Sequence, residues 1–153
     1  MSDPNWTTIT EADLHAAAPA VQVNSAKTVL LAEGQSDPVA ATIDDVLHYV
    51  RGKILAGGSS LAEGLLIPFS LRNAAVDLSI ARLFARVPPL ARLTTWKDRA
   101  KAAEDLLDAV AKGEFGIPAP READADETPQ PARPQAVTPS SSGPWSRSNQ
   151  QGF

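Results

Sequence analysis

The sequence predicts an all-α fold, a small helical domain of residues 1–117 followed by an extended, proline-rich C-terminal tail of residues 118–153. Apolar residues recur at intervals of three and four in several stretches, which is the period of a helix face. No stretch of the domain alternates convincingly at period two. Seven of the 13 prolines lie after residue 117, among few large apolar side chains, and such a segment buries too little apolar surface to order itself.

Composition excludes several classes of protein. The net charge of −4 argues against a general polyanion binder. With no cysteine, disulfides, thiolate chemistry and cysteine-based zinc sites are ruled out. There is no run of 18 apolar residues, and the first ten residues lack the basic and apolar regions of a signal peptide. We therefore expect a soluble protein, made and kept in a cytoplasm, with no membrane span.

Two short helices are predicted near the N-terminus, after a polar segment whose Trp6 and Ile9 are expected to pack on the core or on a neighbour. Thr10 is a good N-cap for the first helix, with Asp13 returning to it as in a capping box. Pro19 ends that helix. The second is expected over about residues 25–33, capped by Asn24 or Ser25 and closed by Gly34.

The first long helix has the clearest start signal, because Asp37 is a good N-cap and Pro38 a good first helical residue. It is expected to end near Ala56, before Gly57-Gly58. Its buried face comprises Val39, Ile43, Val46, Leu47, Val50 and Ile54. Residues 57–67 then form a glycine-rich loop, either a plain spacer or a loop with a function of its own.

Residues 68–86 are predicted as the central helix, which starts at Pro68 and stops before Pro88-Pro89. Its middle is apolar on nearly all sides, apart from Asp77 and Ser79. A helix of that kind must be covered on most sides. We therefore expect the other helices to wrap around it.

A long C-terminal helix is predicted to begin at a capping-box-like Thr95–Asp98 and to end at Gly113. Asp108 and Lys112 are spaced as a favourable ion pair. Phe115 and Ile117 are expected to fold back onto the helix. Its buried stripe comprises Trp96, Ala100, Ala103, Leu107 and Val110, with Leu106 beside it.

No pattern of catalytic residues is present, so we expect no enzyme, no catalytic residue, no cofactor and no metal. The glycine-rich loop lacks the lysine and the following helix of a phosphate-binding loop. Asp44, Asp45 and His48 share part of one helix surface, but two or three ligands on one helix make a weak metal site. A solvated helix face is the favoured interpretation.

The charges are unevenly distributed along the chain. Residues 82–101 hold six basic side chains and one acid, whereas residues 33–45 hold four acids and no base. Either both stretches are solvated surface, or the basic side of one copy meets the acidic side of the next, a head-to-tail contact that closes into rings. The candidate inter-subunit residues are Arg82, Arg86 and Arg92 on the basic side, and Asp37, Asp44 and Asp45 on the acidic side.

A helix-turn-helix is disfavoured for the same basic region. Its helices would be joined by a turn of three or four residues, whereas the predicted connection is about twice that length and contains Pro88 and Pro89. We therefore expect no sequence-specific DNA binding.

The tail ends in aromatic residues after a stretch with almost no large apolar side chain. Either it is a disordered solubilising extension, or it docks on a partner that orders it, through Trp145, Arg147 and Phe153. Tryptophan and arginine are favoured interface anchors.

The order of several short motifs resembles a known family. They are WTTITEADL from Trp6, GQSDP from Gly34, YVRG from Tyr49, Ile67-Pro68, residues 75–83, Arg86-Val87-Pro88 and AVAKGEF from Ala109. Together they resemble the Mu-like head–tail connector, or adaptor, proteins of tailed phages and prophages. The tail's Trp-Ser-Arg and final Phe are similar to the ending of some members.

This resemblance implies a structural virion protein of the neck, assembled in the bacterial host cytoplasm. It implies a ring of about 12 copies beneath the portal protein, bound below to a stopper or tail-terminator protein. Genomic DNA would pass through the ring without sequence-specific binding. The central helix departs from the family, whose members often carry a tyrosine and more charge there. The alternative is a small helical regulatory or interaction module unrelated to virions.

Overall fold

The computed structural model describes residues 3–29 and 37–121. Contacts divide the chain into two units, residues 1–123 and residues 124–153, and the second lies outside the described residues. The described part is helical, with one short two-stranded ribbon, which confirms the all-α prediction. Its elements are β1 (Trp6–Thr7), α1 (Glu11–Ala17), α2 (Ala20–Val29), α3 (Pro38–Ala56), β2 (Ile67–Pro68), a 3₁₀ turn (Phe69–Leu71), α4 (Arg72–Ala85), α5 (Pro88–Ala91) and α6 (Thr94–Ala111).

The first helix forms as its capping residues predict. The backbone N–H of Thr10 donates to the Asp13 carboxylate at 2.8 Å, and Ala18, extended as expected before a proline, ends α1. The prediction for α2 was wrong in position, because the helix starts five residues earlier than the expected Ser25. The Pro19 carbonyl accepts from the N–H groups of Gln22 and Val23 at 2.9 and 3.2 Å, so one proline ends α1 and opens α2. The predicted closure at Gly34 lies outside the described residues.

Helix α3 confirms its prediction at both ends. The Asp37 side chain accepts from the Val39 N–H at 2.9 Å, and Gly57 caps the C-terminus. All six predicted face residues are buried. Gly57 has a second reason to be glycine, since a Cβ there would lie 2.2 Å from the carbonyl oxygen of Val110 on α6.

The predicted start of the central helix was wrong. Pro68 does not open the helix but pairs with Trp6 in the antiparallel ribbon, and the Phe69 N–H donates to the Asn5 carbonyl at 2.8 Å. The extended backbone of Pro68 (φ −57°, ψ 138°) suits the fixed φ of proline equally well. The ribbon holds the N-terminal segment on the domain, where Trp6 and Ile9 are buried.

Helix α4 is the centre of the packing, as its apolar surface predicts, with neighbours among α1, α2, α3, α5 and α6. The middle of the helix holds two polar residues, Ser79 and Asp77. The buried Ser79 hydroxyl donates to the Ala75 carbonyl at 2.8 Å. Asp77 pairs with Arg99 of α6 at 2.7 Å. The ring of Phe84 meets that of Trp96 edge to face, with centroids 5.6 Å apart.

The predicted Thr95 cap was wrong, because helix α6 begins at Thr94 and its N-cap residue lies two residues before Thr95. Leu93 is the N-cap residue and makes no side-chain cap. Trp96, Ala103, Leu107 and Val110 are buried, and Ala100 and Leu106 are half-buried. Gly113 follows the helix at φ 75°. Phe115 and Ile117 pack back onto the core, as predicted. The chain then reaches the N-terminal segment, where the Arg121 N–H donates to the Asp3 carboxylate at 2.6 Å.

Candidate subunit-contact surfaces

Of the predicted basic residues, Arg82 contacts another helix of the chain, while Arg86 and Arg92 are exposed. The Arg82 guanidinium lies over the ring of Tyr49 on α3, 4.8 Å from its centroid. Arg86 and Arg92 cap the ends of α4 and α5 and are exposed. Neither has a carboxylate of the described residues within ion-pair distance.

The remaining basic residues of this stretch divide in the same way. Arg99 is used by Asp77, and Lys101 pairs with Asp105 on the exposed side of α6 at 3.0 Å. Lys97 is exposed, with no acidic partner in residues 3–29 and 37–121. We call Arg86, Arg92 and Lys97 the basic corner.

Tyr49 sits within a polar network that joins the three longest helices. Its hydroxyl donates to Glu104 of α6 at 2.6 Å, and this acceptor, with burial, raises the pKa of Tyr49. Lys53, one turn further along α3, pairs with Asp108 at 2.6 Å. Lys53 chiefly, and the predicted partner Lys112 to a smaller extent, lower the pKa of Asp108, and among the described residues it is Lys53 that forms the close ion pair. The two links advance by four residues on both helices, so α3 and α6 run in the same direction.

The predicted acidic residues also fall into two groups, one paired with a cation and one exposed. Asp37 caps α3 and pairs with Lys27 of α2 at 3.1 Å. The Val39 N–H and then Lys27 hold the pKa of the Asp37 carboxyl below its ordinary value. Asp44 and Asp45 are exposed, and within the described residues no cationic side chain pairs with them. Nδ1 of His48 donates to the backbone oxygen of Asp44 at 2.8 Å.

A shallow groove of about 230 Å³ lies beside these free carboxylates, between the segment entering α1 and the first half of α3. Its floor is formed by three buried side chains, Ile9, Val39 and Ile43. Its rim carries Thr10, Glu11, Ala40 and Asp44. Below, "the groove" means these seven residues.

Sequence reasoning missed two residues that organise the neighbouring elements. Arg51, which lies off the predicted buried face of α3, donates to the carbonyls of Ala62 and Leu66 at 3.1 and 2.7 Å and thereby holds the glycine-rich loop. Lys27 pairs with both Glu11 and Asp37, joining α2 to the starts of α1 and α3. Both depend on partners distant in sequence, so no local pattern indicates them.

The tail anchors Trp145, Arg147 and Phe153 lie outside the described residues. In the part of the chain that is described, no three His, Asp or Glu side chains gather into a group that could hold a metal ion. None of the helices in that part is both long and apolar enough to cross a bilayer.

Comparison with known proteins adds no relative, since no family model, no curated protein and no solved structure matches this chain.

Proposed function

We propose that this protein is a head–tail connector subunit of a tailed phage or prophage, forming a ring beneath the portal protein. The observation that carries the proposal is the presence, on one chain, of two exposed surfaces of opposite charge that have no ion-pair partner among residues 3–29 and 37–121. These are the basic corner, Arg86, Arg92 and Lys97, and the acidic pair Asp44 and Asp45. The order of motifs from Trp6 to Phe115 supports the same function by resemblance.

The positions of these charges support ring formation. The two surfaces belong to different elements, α3 on one side and the α4–α6 connection on the other, so a contact between them is head to tail and repeats around an axis. Charge complementarity chiefly sets the register and the rate of such an association. Arg82 and Asp37 are half-buried and already have partners within the chain. We therefore expect them to contribute less to the contact between subunits.

The ring would extend the DNA channel rather than bind a DNA sequence. A lumen lined with neutral or negative groups lets DNA slide, whereas lysines and arginines there would hold phosphates through counterion release. The net charge of −4 suits this role. The component below the ring would be a stopper or tail-terminator protein.

In this proposal the tail binds the portal protein through Trp145, Arg147 and Phe153. A segment that folds on binding loses affinity to the entropy of ordering. A ring presenting about 12 tethered copies would offset that loss through effective concentration.

The test is co-expression with the portal protein of the same genome, followed by mass measurement of the purified complex. The full-length chain is expected to co-purify in multiple copies. A variant with Trp145, Arg147 and Phe153 all changed to alanine should be lost from the complex, whereas Arg133→Ala in the same tail should be retained. If neither the native chain nor Arg133→Ala binds and both remain monomers or dimers, a helical regulatory module becomes the better proposal. Retention of the triple variant would assign portal binding to the helical domain.

A further inference from the structure

The groove combines an apolar floor with carboxylates at its rim. Ile9, Val39 and Ile43 are each less than 8% exposed yet line it. Glu11, at the start of α1, and Asp44, on α3, both line it as well. A side chain with an apolar stem and a cationic head matches both features.

The size of the groove also points to a single side chain. Sites for small molecules and cofactors usually measure about 300–1,000 Å³, and the groove, at about 230 Å³, is smaller and open to solvent. Arginine suits it better than lysine, because a planar guanidinium can bind one carboxylate with two parallel hydrogen bonds and is more weakly hydrated.

The distribution of charges indicates which arginine could bind there. Glu11 already pairs with Lys27 and contacts His15, whereas Asp44 has no cation among the described residues. Arg86 and Arg92 flank Pro88-Pro89 and have no carboxylate partner in the described chain. A second copy of the protein therefore carries the complementary group on a short, proline-stiffened segment.

We infer that the groove is the acceptor site of the head-to-tail contact, and that it receives Arg86 or Arg92 of a second copy. This inference rests on the proposed ring and makes it specific. The aliphatic stem of the arginine packs on Ile9, Val39 and Ile43, and its guanidinium binds Asp44. Asp45, on the same helix, faces the rest of the basic corner.

Filling the groove is the first test. Ala40 is exposed on its rim, so Ala40→Trp blocks entry without changing the core. Ala56→Trp is the matched control, because Ala56 is also exposed on α3 but lies 16 residues, or about 24 Å, further along the helix. Sedimentation velocity of the full-length chain over a concentration series is expected to show self-association weakened at least tenfold, roughly the effect of losing one good contact, by Ala40→Trp and unchanged by Ala56→Trp.

A charge exchange identifies the partner. Asp44→Arg and Arg92→Asp should each weaken association, since like charges then face each other. Combined in one chain they should restore it. The same cycle with Arg86→Asp decides between the two arginines. Lys101→Asp makes an equal change of charge at a residue that already pairs with Asp105, and it should have little effect.

The results separate this inference from the proposed function. Association that is insensitive to Ala40→Trp and to every charge exchange overturns the groove as acceptor, even if the portal complex forms. A monomer at all concentrations overturns it as well. Groove-dependent association without portal binding supports the inference and counts against the connector function.

Discussion

Two regions of the domain are held together in different ways. We call the contact between α4 and α6 the seam, and the contact among α1, α2 and the start of α3 the junction. Along the seam lie buried apolar groups such as Phe84, Trp96 and Leu107, and its one ion pair joins Asp77 to Arg99. At the junction, charged groups connect the elements, with Lys27 between two carboxylates and Arg72 of α4 paired with Asp13 of α1. Apolar burial contributes far more free energy than half-exposed ion pairs. The seam should therefore contribute most of the free energy of unfolding. The junction should instead position the elements that form the groove.

The largest effect is expected in the seam, from Phe84→Ala. Phe84 is 1% exposed, and removing its ring should lower the free energy of unfolding by about 3–5 kcal/mol. Urea denaturation measures this. Phe69→Ala is the control, because Phe69 is 61% exposed and its loss should change stability by less than about 0.5 kcal/mol. Similar losses for the two variants would contradict the burial of Phe84.

Gly57→Ala tests the contact between α3 and α6 that lies beside the seam. The new methyl group meets the backbone oxygen of Val110, so the helices must separate, and we expect a loss of about 1–3 kcal/mol. Gly52→Ala on the same helix meets nothing within 4 Å and should instead add about 0.5–1 kcal/mol. Thermal unfolding of the pair gives the two signs directly.

Short-range sequence signals predicted a large part of the fold. Helix α3 and the buried faces of α4 and α6 follow from a cap, a proline and the 3.6-residue period, all short-range signals. Pro68 and Ser25 were misassigned because proline suits both a helix start and an extended segment, and because polar residues near a helix start compete as caps. In each case a backbone hydrogen bond set the observed structure. The Asn5 carbonyl holds the chain next to Pro68 in the ribbon, and the Pro19 carbonyl accepts the first hydrogen bonds of α2.

The candidate site was predictable only in part, for a related reason. The charge asymmetry located Arg86, Arg92, Asp44 and Asp45, which are exposed and form no ion pair within the described part of the chain. It could not show that Arg82 stacks on Tyr49, because that partner lies on another helix. The groove was invisible to sequence reasoning, since Ile9 and Val39 come together only after the N-terminal segment docks.

At the junction, Asp37→Ala removes the cap of α3 and should cost about 0.5–2 kcal/mol. Because the pKa of Asp37 is lowered from 3.8 in the folded state, its carboxylate stabilises the fold fully well above pH 3.8, and this is lost as the pH falls through the lowered value. The free energies of unfolding of the native chain and of the variant, measured over a pH series, should therefore converge in acid. A gap that is constant with pH would mean that the carboxylate charge contributes nothing.

Lys27→Met removes two half-exposed ion pairs and should give a small effect, about 0.2–1 kcal/mol for each pair. The difference from the native chain should shrink as salt is added, because exposed charges are screened. The loss caused by Phe84→Ala should not shrink in this way. Equal salt dependence for the two variants would remove the distinction between seam and junction.

The anchoring of the glycine-rich loop by Arg51 has a consequence for protein engineering. The guanidinium grips main-chain oxygens of Ala62 and Leu66, and a main-chain oxygen is the same whatever side chain its residue carries. Gly58, before Ala62, and Gly64, between Ala62 and Leu66, supply the left-handed residues of the loop. The exposed positions Ser60 and Glu63 can therefore be rewritten, with an affinity epitope or a fluorophore attachment residue, while the path of the backbone stays as it is.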